Sequence, residues 1–192
     1  SEKTECIVIN IGSGTPVLYT NREKKEVIHI TGTGLGSASL VGLSFYMTGI
    51  EELDLIDKNA LKGNPNKVNL LVRDIYNNLD LIDLPGDATA SNFGKYQDWR
   101  QLPKDEKPQK ADLLAALHRM VAETIAIIAT TAVRQFNKDN RLPVVITGGG
   151  TLNQALINYL TSTFDFFKQP YHIAEHAVYS TLCGLFVSKE LV

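Results

Sequence analysis

Three glycine clusters, each set directly after a β-forming run, constrain this chain more than any other feature: Gly12-Ser13-Gly14, Gly32-Thr33-Gly34-Leu35-Gly36 and Gly148-Gly149-Gly150. Glycine lets a backbone turn tightly and lets a second backbone or a ligand approach where a Cβ would intrude. Residues 6–10, 16–20 and 27–31 are β-rich and joined by short glycine or charged links, which predicts an antiparallel meander with a solvated turn at 21–25. After Gly36 the residues become small and apolar, with Leu40, Leu43 and Met47 at helical spacing. A helix is expected there with Ser37 as its N-cap, its free N–H groups and positive dipole end turned toward whatever occupies the glycine loop. That favours an anion.

Further helices are predicted at 51–61 and 68–76, and the proline- and glycine-rich stretch 83–110 is an irregular connection that covers something or packs on itself. The strongest helical signal spans 111–136, where Leu113, Leu117, Val121, Ile125, Ile128, Ala132 and Phe136 repeat at threes and fours. Asp112 near its start, and Arg134 and Lys138 near its end, complement the helix dipole. Residues 125–129 are apolar all round, so the helix is expected to be central or to meet a partner subunit. A strand at 142–147, the triple glycine, a helix at 153–166, a strand at 171–173 and a helix from 177 complete an α/β pattern. The length of 192 residues suits one compact domain or two tightly joined lobes.

Nineteen basic and 21 acidic residues are interspersed to a net charge of −2, so there is no basic field for a nucleic-acid backbone and no such partner is expected. Neither an apolar run of membrane-spanning length nor a signal-peptide core is visible, which predicts a cytoplasmic protein that does not enter a membrane. Cys6 and Cys183 lie in apolar segments outside any Cys-x-x-Cys pair and read as buried free thiols.

Around Gly12 the missing side chains would let backbone N–H groups approach a phosphate, with hydroxyls from Ser13 and Thr15 beside them; a plain tight hairpin needs the same residues. The second cluster has Ser37 where a dinucleotide fingerprint needs its third glycine, and no Gly-Lys-Ser/Thr ending makes a Walker loop. The third follows a strand and precedes a helix, either as a plain turn or as backbone passing under a nucleotide. His172-Ile173-Ala174-Glu175-His176 spells an inverted zinc-protease motif, but Pro170 and Tyr171 introduce a β-like stretch rather than the helix that chemistry requires, and no metal is predicted. Neither His29 nor His118 has a carboxylate or serine fixed beside it, so no triad is argued.

In order, these pieces resemble the type II pantothenate kinases. The match runs through Asn10-Ile11-Gly12-Ser13-Gly14, then residues 31–36, Gly42-Leu43 and Met47-Thr48-Gly49, then residues 68–76, Ala90-Ser91-Asn92-Phe93-Gly94 and the long helix. The resemblance implies an α/β, ribonuclease H-like lobe of the actin, Hsp70 and sugar-kinase superfamily, a mixed sheet flanked by helices. It implies that residues 1–192 form the C-terminal kinase-like lobe, and that the N-terminal phosphate-loop lobe, with the family's catalytic glutamate, would lie before Ser1. No catalytic residue is therefore expected in this chain. It further implies nucleotide binding by Ser13, Gly36, Ser37, Ala38, Ser39, Leu40, Val41 and Gly149, substrate binding by Ser13 and His29, ATP with Mg²⁺ held through the phosphates, and a homodimer through helix 111–136. The function so implied is ATP-dependent phosphorylation of pantothenate, in coenzyme A biosynthesis, by the full-length or complemented enzyme. The alternative is a non-catalytic nucleotide- or CoA-binding and dimerising module. Five positions at three places depart from the family: Ser37 and Ala38 replace glycines, His29 stands where eukaryotic members carry an arginine, and Ala177 and Thr181 replace small glycines of the last helix.

Overall fold

A computed structural model describes residues 4–76, 85–136 and 142–180. In chain order the strands and α-helices are β1 (Glu5–Asn10), β2 (Thr15–Asn21), β3 (Glu26–Thr33), α1 (Ser37–Thr48), α2 (Leu53–Lys62), β4 (Leu70–Leu71), α3 (Val72–Ile75), β5 (Thr89–Ser91), α4 (Tyr96–Gln101), α5 (Lys110–Phe136), β6 (Val144–Thr147), α6 (Gln154–Phe166) and β7 (Tyr171–Ile173). The chain divides into two compact units, Ser1–Gly42 with Val121–Val192, and Leu43–Met120.

The first unit is built on a mixed five-stranded sheet of order β3-β2-β1-β6-β7. The expected meander is present, since β2 pairs antiparallel with both β1 and β3, while β6 runs parallel to β1 and β7 parallel to β6. Alternation explains the central position of β1 and β2: Ile7 and Ile9, and then Thr15, Val17, Tyr19 and Asn21, are buried at a period of two. In contrast, β3 shows no such alternation and leaves Val27 69% exposed, as suits an edge strand. On α6, Leu156, Leu160 and Phe164 recur every four residues and are fully buried, and the Phe164 ring lies 5.6 Å from that of Tyr171 on β7. Each such side chain contributes about 1.5–3 kcal/mol. The helix starts where the Asn153 side chain accepts the Leu156 N–H at 2.8 Å, a cap worth about 1 kcal/mol. It ends where Lys168, at φ +52°, donates to the Asp165 carbonyl and Gln169 donates to that of Phe164.

The second unit departs from the sequence reading at 68–76. Rather than one helix, the chain forms a 3₁₀ turn at Pro65–Lys67, the strand β4 and the single-turn α3. Local side-chain bonds compete with the helix here: the Leu71 N–H donates to the Asp74 carboxylate at 2.8 Å, and the buried Asn69 carbonyl accepts the Phe93 N–H at 2.9 Å. The pairing of β4 with β5 finishes the competition. The described part of the irregular stretch, from Pro85 onward, holds β5 and α4, so it carries packing of its own.

Among the described residues of this unit, Asp112 and His118 are buried ionisable groups. Asp112, 5% exposed, is pushed up by burial, but the N–H groups of Asn64 and Gln109 and the Lys67 ammonium outweigh that and hold its carboxyl below the usual range. Through the Gln109 N–H it also caps the start of α5. His118, fully buried, is pushed below the ordinary imidazole range by burial, against the opposing pull of the Leu114 carbonyl and Asp57.

The long helix α5 matches its expected bounds. Leu117, Val121, Ile125 and Ala132 are buried, Leu113 and Ile128 are half-buried, and Phe136 stacks on Tyr19 with ring centroids 4.4 Å apart. By length and composition α5 could cross a membrane, although the sequence has no unbroken apolar run of that length; 61% of its most apolar stretch is buried inside the protein, as in a core helix. Ser37 also differs from expectation. It is the first helical residue rather than the cap, because the Leu40 N–H donates to the Gly36 carbonyl. Cys6 is half-buried, with its Sγ 3.0 Å from Thr20 Oγ1. Ala177 opens a 3₁₀ turn at Ala177–Tyr179, while Lys138, Thr181 and Cys183 lie outside the described residues.

Candidate functional site

The three glycine clusters converge on the end of β1. From there the Ile11 N–H donates to the Thr147 carbonyl at 2.8 Å, and the Ser37 N–H donates to the Gly12 carbonyl at 2.8 Å. Thr15 Oγ1 donates to the Leu35 carbonyl at 2.9 Å, which clips the first two clusters together, and Ser39 Oγ donates from α1 to the Gly34 carbonyl at 2.9 Å. A Cβ at Gly36 would lie 2.6 Å from the carbonyl oxygens of both Gly12 and Ser13, inside any normal contact. The third cluster joins through the Gly150 N–H, which donates to the Ile11 carbonyl at 2.8 Å. There Gly148 has φ +97°, and a Cβ would strike Asn10 and Ile11.

This packing narrows which free N–H groups α1 can turn toward an anion. The Ser37 amide is already engaged, and the amides left ahead of the first helical bond are those of Ala38 and Ser39. Open space, on the other hand, adjoins Gly34 and Gly149, where an added Cβ would meet nothing within 4 Å.

A cavity of about 430 Å³ opens beside the clipped turns, lined by Asn10, by residues 12–16, and by His29, Gly32 and Thr33 of β3. Ser13 and His29 are therefore brought to one cavity, although sixteen residues separate them, and both are exposed to it. Gly36, Ser37, Ala38, Ser39, Leu40, Val41 and Gly149 are not among its lining residues. Of these, Gly36 is buried under the first turn, the Leu40 side chain is 2% exposed and belongs to the core, Ser37, Ser39 and Val41 are half-buried, and Ala38 and Gly149 are exposed. Asn10 and Thr33 line the cavity but were not singled out from the sequence. The available signal was their position, one two residues before a glycine turn and one within a glycine turn.

The other histidines stand apart from this chemistry. His172 lies on β7 and is exposed, and His176 takes φ +57° ahead of a 3₁₀ turn, so the zinc-protease spelling is not displayed on a helix. Among the described residues no three His, Cys, Asp or Glu side chains gather as metal ligands. His118 is enclosed, its Nδ1 2.7 Å from the Leu114 carbonyl oxygen.

A mixed sheet flanked by helices, with glycine turns gathered where β1, β3 and β6 end, is an α/β fold of the actin and Hsp70 type. The fold is shared with a solved structure of a non-polymerisable quadruple mutant of pCBH ParM, at TM-score 0.54 and 13% identity, covering 100% of this chain and 48% of that one. The chain belongs to the Fumble family, whose model matches residues 2–188. It is similar to the curated type II pantothenate kinases of Staphylococcus aureus strains USA300 and NCTC 8325, being 28% identical to each over 187 residues. The alignment covers 96% of this chain and 66% of each relative, so the chain spans just under two-thirds of their length.

Proposed function

We propose that this chain is the C-terminal, kinase-like lobe of a pantothenate kinase of coenzyme A biosynthesis, transferring the γ-phosphoryl group of ATP to the hydroxyl of pantothenate. The observation that carries the reading is the cavity that unites Ser13 and His29 beside the clipped glycine turns, in a chain of the Fumble family. In this reading Ser13 and His29 hold pantothenate. The nucleotide passes Gly36, Ser37, Ala38, Ser39, Leu40 and Val41, with the free Ala38 and Ser39 amides toward its phosphates and Gly149 giving room for the base. The contribution of Leu40 is its backbone, since its side chain is core. Mg²⁺ would be held mainly through the phosphates, where it would supply charge neutralisation during transfer.

In the transfer, the hydroxyl oxygen of pantothenate bonds to the γ-phosphorus, the bond to ADP breaks, and the hydroxyl proton leaves to a base. Among the described residues no carboxylate lines the cavity, and in this reading the base comes from another part of the assembled enzyme. General base assistance is worth about 10²- to 10⁴-fold. The protein is read as cytoplasmic and as a homodimer through α5, where Ile127 is 50% exposed on an otherwise largely buried helix.

The test has two parts. Calorimetry on the chain should detect binding of pantothenate and of ATP·Mg²⁺, and the chain supplied with an N-terminal lobe should release ADP only when pantothenate is present. Nucleotide binding without pantothenate turnover would replace the kinase reading with that of a binding module. Absence of any binding would remove both.

A further inference from the structure

We infer that the outer face of α1 and the start of α2 form a docking surface for a basic amphipathic helix of a partner protein, with Phe45 and Tyr46 as apolar anchors and Glu51 and Glu52 as the charged rim. None of these residues belongs to the ligand site proposed above, and the surface does not depend on the kinase reading.

The helix α1 keeps polar side chains inward and aromatic ones outward. Its twelve residues carry no charge, and the side chains buried at one-turn intervals are Leu40, Ser44 and Thr48, at 2%, 0% and 5% exposure. Leu43, Phe45 and Tyr46 are left 41%, 50% and 87% exposed. A helix that is apolar all round is ordinarily covered all round. The inward placement is fixed at both ends of the last turn: Thr48 Oγ1 donates to the Ser44 carbonyl at 2.7 Å, and the Lys110 ammonium donates to the Thr48 carbonyl. Gly49, at φ +73°, then ends the helix, and after a short link α2 opens with Leu53 and Leu55, 61% and 43% exposed. Single exposed apolar residues are ordinary, but a run of five between Leu43 and Leu55, two of them adjacent aromatics, marks an interaction surface.

Charge selects the occupant. From Glu26 to Asp57 the sequence contains no Lys or Arg. The link between the helices supplies Glu51 and Glu52, and the first turn of α2 supplies Asp54; all three are exposed and take part in no ion pair among the described residues. Lys110, which reaches the end of α1, is engaged at the Thr48 carbonyl, and Lys58 stands one turn beyond Asp54 on α2, away from the link. A second copy docked by the same face offers these carboxylates no cation, and anionic lipid or nucleic acid is repelled by them. Lys or Arg flanking apolar anchors matches both features. The backbone groups of α1 are bonded within the helix, so the partner is read through side chains, as one helix laid along another, and not by addition of a strand to a sheet edge.

The two features divide the work. Desolvated aromatic anchors hold a complex together, while charges at a rim steer the approach and make affinity sensitive to salt. Reversing the partner's charge is therefore expected to change affinity by about 10-fold or more at low salt. That difference should shrink as the screening length falls from about 30 Å at 0.01 M salt to about 8 Å at 0.15 M.

Fluorescence anisotropy on the whole chain tests the surface with two labelled peptides of about 15 residues, roughly four helical turns, that share Leu at threes and fours and differ only in carrying Lys or Glu on the flanks. The Lys peptide should bind about 10-fold or more tightly than the Glu peptide. Phe45→Ser with Tyr46→Ser should weaken it by about 10-fold or more, and Glu51→Lys with Glu52→Lys should reverse the preference. All four positions are exposed, and circular dichroism checks that both variants keep the fold. Absence of binding, equal binding of the two peptides, or a preference that survives Glu51→Lys with Glu52→Lys overturns the inference. So does tighter binding to vesicles of anionic lipid than to the Lys peptide. A dimer in sedimentation that Phe45→Ser with Tyr46→Ser dissociates would make a second copy the occupant, and loss of peptide binding when an N-terminal lobe is supplied would assign the face to packing inside the enzyme; either result overturns the inference as well.

Discussion

Replacement of Gly36 by alanine tests whether the glycine clusters serve the protein's own backbone before they serve a ligand. The added Cβ would sit 2.6 Å from two carbonyl oxygens, of Gly12 and Ser13, and 2.9 Å from the Gly14 Cα. Ordinary carbon–oxygen approach is about 3.3 Å or more, so the turns must part by about 0.7 Å. The 2.8 Å bond from the Ser37 N–H to the Gly12 carbonyl lies across that opening and would be lost or weakened. Overpacking of this kind costs about 1–3 kcal/mol and the bond about 0.5–1.5 kcal/mol, together roughly 2–4 kcal/mol. For a domain of this size that lowers Tm by roughly 4–16 °C. Urea denaturation of Gly36→Ala beside Gly34→Ala measures it, because Gly34 has nothing within 4 Å of its ideal Cβ and lies outside the left-handed region. Gly34→Ala should stay within about 0.5 kcal/mol or gain slightly. If Gly36→Ala unfolded with the same midpoint as Gly34→Ala, the clipped-turn account would be wrong.

Asp112→Ala should lose about 2–4 kcal/mol in urea denaturation, because it strands the N–H groups of Asn64 and Gln109, while Asp112→Asn keeps an acceptor and should lose less. Since the folded-state value of Asp112 lies below its ordinary 3.8, its contribution is complete above that pH and disappears as pH falls through the lower folded value; acid unfolding of the Ala variant should lack that component. His118 is a base whose folded-state value is lowered, so the unfolded chain takes up its proton first. Stability is then full above about pH 6.5 and declines below it by up to about 1.4 kcal/mol per pH unit, a slope that His118→Gln should remove when unfolding is measured at pH 7.5 and 5. Lys168 holds the left-handed position after α6, and Lys168→Gly should raise stability by about 1 kcal/mol in thermal unfolding.

The strands and long helices were legible because their burial periods are long enough to repeat: Ile7 and Ile9 on β1, and the threes and fours of α5, admit one interpretation each. The stretch 68–76 was not, because its apolar spacing suits a helix while two side-chain bonds, from Asp74 and Asn69, withdraw the backbone donors or fix the neighbouring turn. Spacing carries no information about which donors are already spent. The same reason governs the site. Glycine after a strand marks a close approach, but the sequence does not say whether the approaching group is a ligand or another turn, and at Gly36 and Gly148 it is the protein's own backbone. What remains for a ligand is then a narrower set of features than the glycine pattern suggests: the amides of Ala38 and Ser39, the open space over Gly34 and Gly149, and the cavity that holds Ser13 and His29. The clusters act at one remove. By locking the ends of β1, β3 and β6 together they bring Ser13 and His29, sixteen apart in sequence, to the lining of one cavity.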